Sequence, residues 1–417
     1  MNKIARREAI KSIAAGLGLV AAGGARSALA QANAIRIGAL YPLSGPVAVF
    51  GSYALIGAKI AANRINAQGG VLGRPIEIVA RDDKSQPSEA SLMARDLTGN
   101  GVNLLIGGYL TAQSMAVLPL LADTNSVFQV TGTSITAFTH DSFNSHAFRA
   151  NANIHMIYYA LGKYASAQAP DVTRWGGIIT DAAFGDLNWA AIKGGLKKYY
   201  RENGSIVEFH TPLRAKLGTT DYKIQISELM SMPIDGLFVG VIGADYATFV
   251  NQATPFGLFK KVKVVLDGGG GGLALGKTLR KNIPSGQISF NNWYPPNDTS
   301  QLGKDLYKDF LASGNSGTDS QVAGVHNAVI AYARAIKAAG TTEAKAVIRA
   351  LEELSFQTAG GLFKYRKEDH QLLASTTCFW LEGMDADPGY RIKNPVTIPG
   401  EATIEPAAPG RPFVEET

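Results

Sequence analysis

The fullest match to a chemical motif in this 417-residue chain is Gly271-Gly272-Leu273-Ala274-Leu275-Gly276-Lys277-Thr278, which satisfies G-x-x-x-x-G-K-[ST]. Such a loop aims consecutive backbone N–H groups at phosphate oxygens, with Lys on the terminal phosphates and Thr on magnesium. Three features of this copy speak against phosphate. It lies late in the chain, it places Leu273 and Leu275 where close approach favours small residues, and an export signal would carry the protein away from nucleoside triphosphates. We read it as a glycine-rich connector beside a cleft. The run Gly268–Gly272 lacks the third glycine of G-x-G-x-x-G, so there is no dinucleotide fingerprint. The six histidines show no H-E-x-x-H or paired spacing, and no G-x-S-x-G occurs. Cys378 is the single cysteine, which excludes an intrachain disulfide framework, a Cys-based zinc cluster and an iron–sulfur centre. Asp82-Asp83, at a strand end, reads as a solvated turn. No catalytic set, no cofactor and no metal site is expected.

What remains is a group of polar loops: Tyr41–Gly51, Gly107–Ser114 (GGYLTAQS) and Val130–Thr136 (VTGTSIT). The last two offer hydroxyls and N–H groups at strand–helix junctions, a cradle suited to a carboxylate. Ordinary helix capping uses the same residue types. The three loops follow strands of one sheet, however, and converge on its carboxyl edge, where open α/β sheets bind ligands.

The elements that must hold these loops are legible as alternation. Strands are expected at Ile35–Tyr41, Ile76–Arg81, Val102–Ile106, Val127–Val130, Trp175–Thr180, Ser205–His210, Gly236–Val241 and Val262–Leu266, with helical patterns between them. Near-continuous apolar strands separated by helices imply parallel sheets covered on both faces. Ser142–Arg149 interrupts the count and marks a crossing between two similar halves. Further on, helices are expected over Leu302–Leu311, Ser320–Ala339 and Glu343–Leu354, and a strand over Gly286–Phe290. Phe363–Tyr365 and Thr376–Leu381 read as strands paired with each other. The last thirty residues, rich in Pro, Gly and acidic groups, read as a surface wrap.

The N-terminus carries Lys3, Arg6, Arg7 and Lys11, then a weakly apolar run from Ile13 to Ala25, then Ala28-Leu29-Ala30. This is the order of a cleavable export signal, and Arg6-Arg7 resembles a twin-arginine signal with Ala5 where a hydroxyl residue is usual. Removing residues 1–30 takes five of the 40 basic residues and one of the 34 acidic ones, so the net charge falls from +6 to +2. Nothing then suggests nucleic acid or a membrane surface.

These residues resemble the leucine/isoleucine/valine-binding type of periplasmic solute-binding protein of ABC importers. Ile35–Gly51 looks like its opening strand and loop. Ile65-Asn66-Ala67-Gln68-Gly69-Gly70-Val71-Leu72-Gly73-Arg74 is similar to its I-N-x-x-G-G-(V/I)-x-G-(R/K) helix ending, and Asp82-Asp83 follows as in the family. Phe148-Arg149 matches the F-R of the first hinge crossing, and Phe184-Gly185 the aromatic-Gly opening the second lobe. The similarity runs from about residue 35 to 381.

The resemblance implies a type I periplasmic binding protein fold: two doubly wound parallel-sheet α/β lobes joined by a three-crossover hinge. It divides the chain into 33–148 plus 275–355, 149–274 plus 356–385, and an extension over 386–417. It implies ligand contacts from Phe50, Thr111, Thr131 and Thr133 in the first lobe and Phe184 in the second. Phe184 stands where the family commonly has Tyr. The acidic residue that holds a ligand's α-amino group falls in the glycine run, where only Asp267 is near. Tyr109, Trp293 and Tyr294 would suit a flat ligand. The expected protein is a periplasmic, monomeric carrier, not an enzyme. It would present an amino acid, an amide or urea-like compound, or an aromatic or short-chain carboxylate to membrane permease subunits. A ligand-loaded sensor subunit and a phosphate-loop enzyme are the alternatives.

Overall fold

Alternate residues of each central strand are apolar on both sides, so each strand must be covered twice. In β1 (Ile35–Tyr41), Ile37, Ala39 and Tyr41 pack into one core while Leu40 packs into another on the opposite face. A computed structural model describes residues 34–269, 271–315 and 320–413; the export signal expected over residues 1–30 lies outside them. β1 pairs in parallel with β2 (Ile76–Asp82) and β3 (Leu104–Gly107), and β3 with β4 (Val127–Val130), which pairs with β5 (Ala147–Arg149). Helices Ala48–Ala67, Ser320–Ala339 and Ala344–Glu352 cover one face; Pro87–Gly99 and Thr111–Val117 cover the other.

The second lobe repeats the plan. Its strands are β6 (Arg174–Thr180), β7 (Glu208–Phe209), β8 (Leu213–Ala215), β9 (Gly236–Gly240), β10 (Val264–Asp267) and β11 (Gln287–Asn291). The order β11-β10-β9-β6-β7 is parallel throughout, with β8 also on β6. Helices Ile154–Gln168 and Ala183–Glu202 cover one face, meeting so closely that a Cβ on Gly162 would lie 2.5 Å from the Gly195 carbonyl carbon.

The remaining strands move the expected boundaries. β12 (Ser355–Thr358), β13 (Gly361–Arg366) and β14 (Gln371–Leu372) extend the first sheet, where β14 runs parallel to β5. β15 (Thr376–Gly383) and β16 (Tyr390–Ile398) extend the second as antiparallel neighbours of β11. The first crossing follows Arg149, which ends a strand of the first sheet, rather than residue 148. The second follows Asn291 rather than residue 274, because β11 and the helix Gly271–Leu279 both belong to the second lobe. The third lies between Leu372 and Thr376 rather than at 355. Phe363–Tyr365 and Thr376–Leu381 are both strands, but in different sheets, so they do not pair with each other. Residues 390–398, expected in a surface wrap, form a sheet strand instead.

Beyond β16 the chain straps the hinge. Glu405 is 1% exposed; Asn153 donates to both its oxygens at 2.7 and 2.8 Å, and His140 Nε2 lies 3.3 Å away. The Arg366 guanidinium donates to the Glu405 carbonyl, the Thr403 carbonyl meets His155 Nδ1 at 2.8 Å, and Phe413 packs edge-on against both His140 and His155. His140 belongs to the first lobe and His155 to the first helix of the second, so the strap binds both. Burial alone would raise the Glu405 carboxyl. The His140 hydrogen bond and the Arg149 charge overcome that and hold it down at about 2. A depressed carboxyl contributes stability that is present above its unfolded pKa and lost as pH falls toward the folded one. We expect Glu405→Gln to unfold roughly 2–4 kcal/mol more easily at pH 7. The difference should shrink from pH 4.5 downward and vanish near pH 2, as read by urea titrations across that range.

Candidate solute-binding cleft

The carboxyl-end loops of both sheets face each other across the three crossings and enclose a cavity of about 180 Å³. The first lobe contributes Phe50, Tyr109, Thr111, Thr131 and Thr133, and also the turn 358–363 of the β12–β13 hairpin. The second contributes Tyr158, Phe184, Asn188, Ile242, Gly268 and Phe290, and the crossings add Asn151, Asn292 and Ser375. Six of the seven residues expected at the site are therefore brought together. Among the described residues no Asp, Glu, Lys, Arg or His lines the cavity; the walls are hydroxyl, carboxamide, backbone and aromatic groups.

The loops are set by buried polar contacts beneath them. Asp82 accepts the Leu43 N–H and the Ser44 hydroxyl, both at 2.8 Å, and so shapes the turn before Phe50. Burial opposes its charge, but these bonds and the Lys84 N–H keep its carboxyl below the ordinary range. Asp83 is not the solvated turn residue expected: it is 1% exposed and accepts the Ser85 N–H at 2.9 Å. Thr131 and Thr133 line the cavity, yet their hydroxyls are tied inward, Thr131 to the Tyr41 hydroxyl at 2.7 Å and Thr133 to Ser114 at 2.6 Å. A Cβ on Gly132 would lie 2.5 Å from the Tyr109 Cα, so only glycine lets these two loops touch. The Tyr109 ring stacks on Phe50 with centroids 4.8 Å apart and planes 16° from parallel, a flat apolar wall.

Asp267 is the seventh expected residue, and the structure removes it from the cleft. It is fully buried; one oxygen accepts the N–H groups of Gly269 and Gly271 at 3.3 and 3.1 Å, the other the Ser289 hydroxyl at 2.6 Å. Its carboxylate thus caps the helix Gly271–Leu279. That helix is the apparent phosphate loop: Leu273, Leu275 and Leu279 face the second core, and Gly276 makes room for Tyr390, whose Cδ1 would lie 2.3 Å from a Cβ. A carboxylate and a helix occupy the place where a phosphate and its loop would stand. Trp293 is also withdrawn, fully buried and donating to Asp298 at 3.1 Å, and Tyr294 packs near Phe379.

The cleft lip is held by contacts between lobes. Val47 and Phe50 pack with Ile242, and Phe184 joins them. The Ala244 N–H donates to the Pro46 carbonyl at 3.2 Å across the lip, where a Cβ on Gly243 would come within 2.6 Å of the same oxygen. Sequence reasoning missed Asn188, Tyr158 and Phe290. Asn188 had a usable signal, since it lies four residues after Phe184 and shares its helix face.

Residues 34–385 match the periplasmic binding protein family. The chain belongs to that family, whose members bind solutes rather than catalyse reactions. It is 23% identical over 367 residues to Leu/Ile/Val-binding protein homolog 1 of Brucella melitensis, covering 85% of this chain and 93% of the relative. It is 35% identical over 106 residues to the Leu/Ile/Val-binding protein BraC3 of Rhizobium johnstonii, a stretch spanning 28% of that relative's length. Solved structures share the fold, two of them with a bound solute that bears on the cleft. One is a solute-binding protein of Rhodopseudomonas palustris in complex with 3,4-dihydroxybenzoic acid (TM-score 0.75, 17% identity, 88% of this chain and 98% of that one). The other is a branched-chain amino acid transporter binding protein of Streptococcus pneumoniae in complex with isoleucine (TM-score 0.73, 19% identity, 88% and 99%). No helix among the described residues is long and apolar enough to cross a membrane.

The acidic pair beneath the first loop carries a pH signature. Burial pushes the Asp83 carboxyl up to about 6, with the neighbouring Asp82 charge adding to it. An acid whose pKa rises on folding adds stability below its unfolded pKa and loses it as pH climbs through the folded value. Asp83→Asn keeps an acceptor for Ser85 and removes the titration. We expect it to stabilise the fold by roughly 2–3 kcal/mol at pH 8 and to have no such effect near pH 4, measured by chemical denaturation.

Proposed function

We propose that this protein is the periplasmic, monomeric solute-binding component of an ABC importer. In this reading it captures a small flat solute bearing a carboxylate or carboxamide and presents it to permease subunits. The observation that carries this reading is the neutral, aromatic-walled cavity between the lobes. A solute bound there touches both walls only when they are together, so binding favours the closed arrangement. The volume suits a metabolite of roughly ten heavy atoms, well below drug-sized pockets of about 300 Å³ and more.

The chemistry of the walls supports an aromatic acid over a zwitterion. A buried ammonium needs a negative partner to offset its desolvation, and the nearest expected one, Asp267, is engaged in capping a helix. A carboxylate or carboxamide needs only donors, which the Thr111 hydroxyl supplies at the head of the helix Thr111–Val117. The stacked Phe50–Tyr109 pair offers a face for a ring. The dihydroxybenzoate held by the Rhodopseudomonas relative fits the same description, whereas the isoleucine held by the Streptococcus relative does not.

Titration calorimetry with benzoates, benzamides, ureas and branched-chain amino acids tests the reading. We expect binding of an aromatic carboxylate or carboxamide and none of leucine; binding of leucine alone would overturn it. Thr111→Ala should weaken the bound aromatic acid by roughly 1–3 kcal/mol, the scale of a hydrogen bond to a charged group. Unchanged affinity in that variant would remove Thr111 from the contact set.

A further inference from the structure

Among the described residues, the second-lobe wall of the cavity holds one side-chain carboxamide, and the fold leaves its oxygen without a partner. Asn188 lies one helical turn beyond Phe184 on the helix Ala183–Glu202, lines the cavity and is 8% exposed. Its Oδ1 is buried and has no hydrogen-bond partner. The other asparagines lining the cavity donate to the protein: Asn151 to the Thr133 and Ala152 carbonyls, Asn327 to the Ala359 carbonyl and Asn292 to the Ser375 carbonyl. The Asn151 Oδ1, on the first crossing rather than the second-lobe wall, also lacks a partner. The rest of the second-lobe wall is apolar or already bonded. Phe184, Ile242 and Phe290 carry no polar atoms on their side chains, and the Tyr158 hydroxyl donates to the Gly268 carbonyl.

A buried amide oxygen without a partner is costly, and Asn is a poor residue for a helix interior. Neither packing nor helix formation accounts for it at this position; a contact made from outside the protein does. We propose that Asn188 is a specificity-determining residue whose carboxamide hydrogen-bonds a neutral polar substituent of the solute, a phenolic hydroxyl or an amide, on the side away from its carboxylate. This rests on the reading of the cleft as an aromatic-acid site. A carboxamide both donates and accepts, so it pairs with a hydroxyl in either sense. A plain ring edge would leave Oδ1 unpaired, and a site built around a hydrogen bond rejects analogues that lack the matching group far more strongly than an apolar pocket rejects an extra one. Asn188 would thus discriminate hydroxylated or carboxamide-bearing aromatic acids from their unsubstituted parents.

The test is calorimetric titration of the whole protein with 4-hydroxybenzoate, 3-hydroxybenzoate and benzoate, repeated for Asn188→Ala and for Asn188→Ser, which retains a smaller hydroxyl. The wild type should bind one hydroxybenzoate about tenfold or more tighter than benzoate. Asn188→Ala should bring that ratio to within about twofold. Asn188→Ser should fall between them and provides the comparison if the alanine variant does not fold. A wild type that does not distinguish the three acids, or variants that keep the full ratio, would overturn the role of Asn188 while leaving the cleft reading intact. A wild type that binds leucine and none of the benzoates would overturn the cleft reading and the solute class assigned to Asn188 with it.

Discussion

Arg149 ends β5, and its guanidinium is completely buried where the chain first leaves one lobe for the other. It donates to the Ser134 carbonyl at 2.8 Å and the Thr139 hydroxyl at 3.0 Å, and lies 5.2 Å over the Phe138 ring. Burial drags its pKa down to about 10, with the Glu405 and Asp369 charges pulling the other way. An uncompensated buried charge costs several kcal/mol, so the loop 134–139, the first crossing and the strap must be in place together. Ser134 follows Thr133 directly and lines the cavity. The compensation of one arginine therefore ties the first crossing, the strap and part of the cleft floor to one another.

From that anchor the cleft is assembled by polar groups that spend their hydrogen bonds on the protein. Asp82 holds one loop, Ser114 and Tyr41 both tie down the loop of Thr131 and Thr133, and Asp267 caps a helix under the opposite wall. What is left facing the cavity is neutral and partly aromatic. Walls made this way offer shape and hydrogen-bonding groups rather than net charge.

The parallel cores were legible in the sequence because their strands are apolar on both faces and separated by helical periods. The strands β12, β14 and β16 were not, nor was the sheet that β13 joins. Ser355–Thr358 and Tyr390–Ile398 alternate buried and exposed residues or are mostly exposed, and their assignment to a sheet is decided by partners far away in the chain. At the site, Phe50, Thr111 and Phe184 were expected from the resemblance to solute-binding proteins, and the loops that carry Phe50, Tyr109 and Thr111 from their place at strand ends. The inward turn of the Thr131 and Thr133 hydroxyls depends on Tyr41 and Ser114, and the withdrawal of Asp267 depends on Ser289; these are tertiary contacts that no local pattern encodes. Gly276 satisfied a phosphate-loop motif for an unrelated reason, the room it leaves for Tyr390.

The strap has a consequence for how the molecule folds. Asn153 and Glu405 are 252 residues apart in the chain, yet they meet in the same buried cluster as Arg149. Part of the counter-charge that offsets burial of this cation therefore comes from a distant stretch of the chain, and closing a loop of that length is an entropic cost that the finished hinge must overcome.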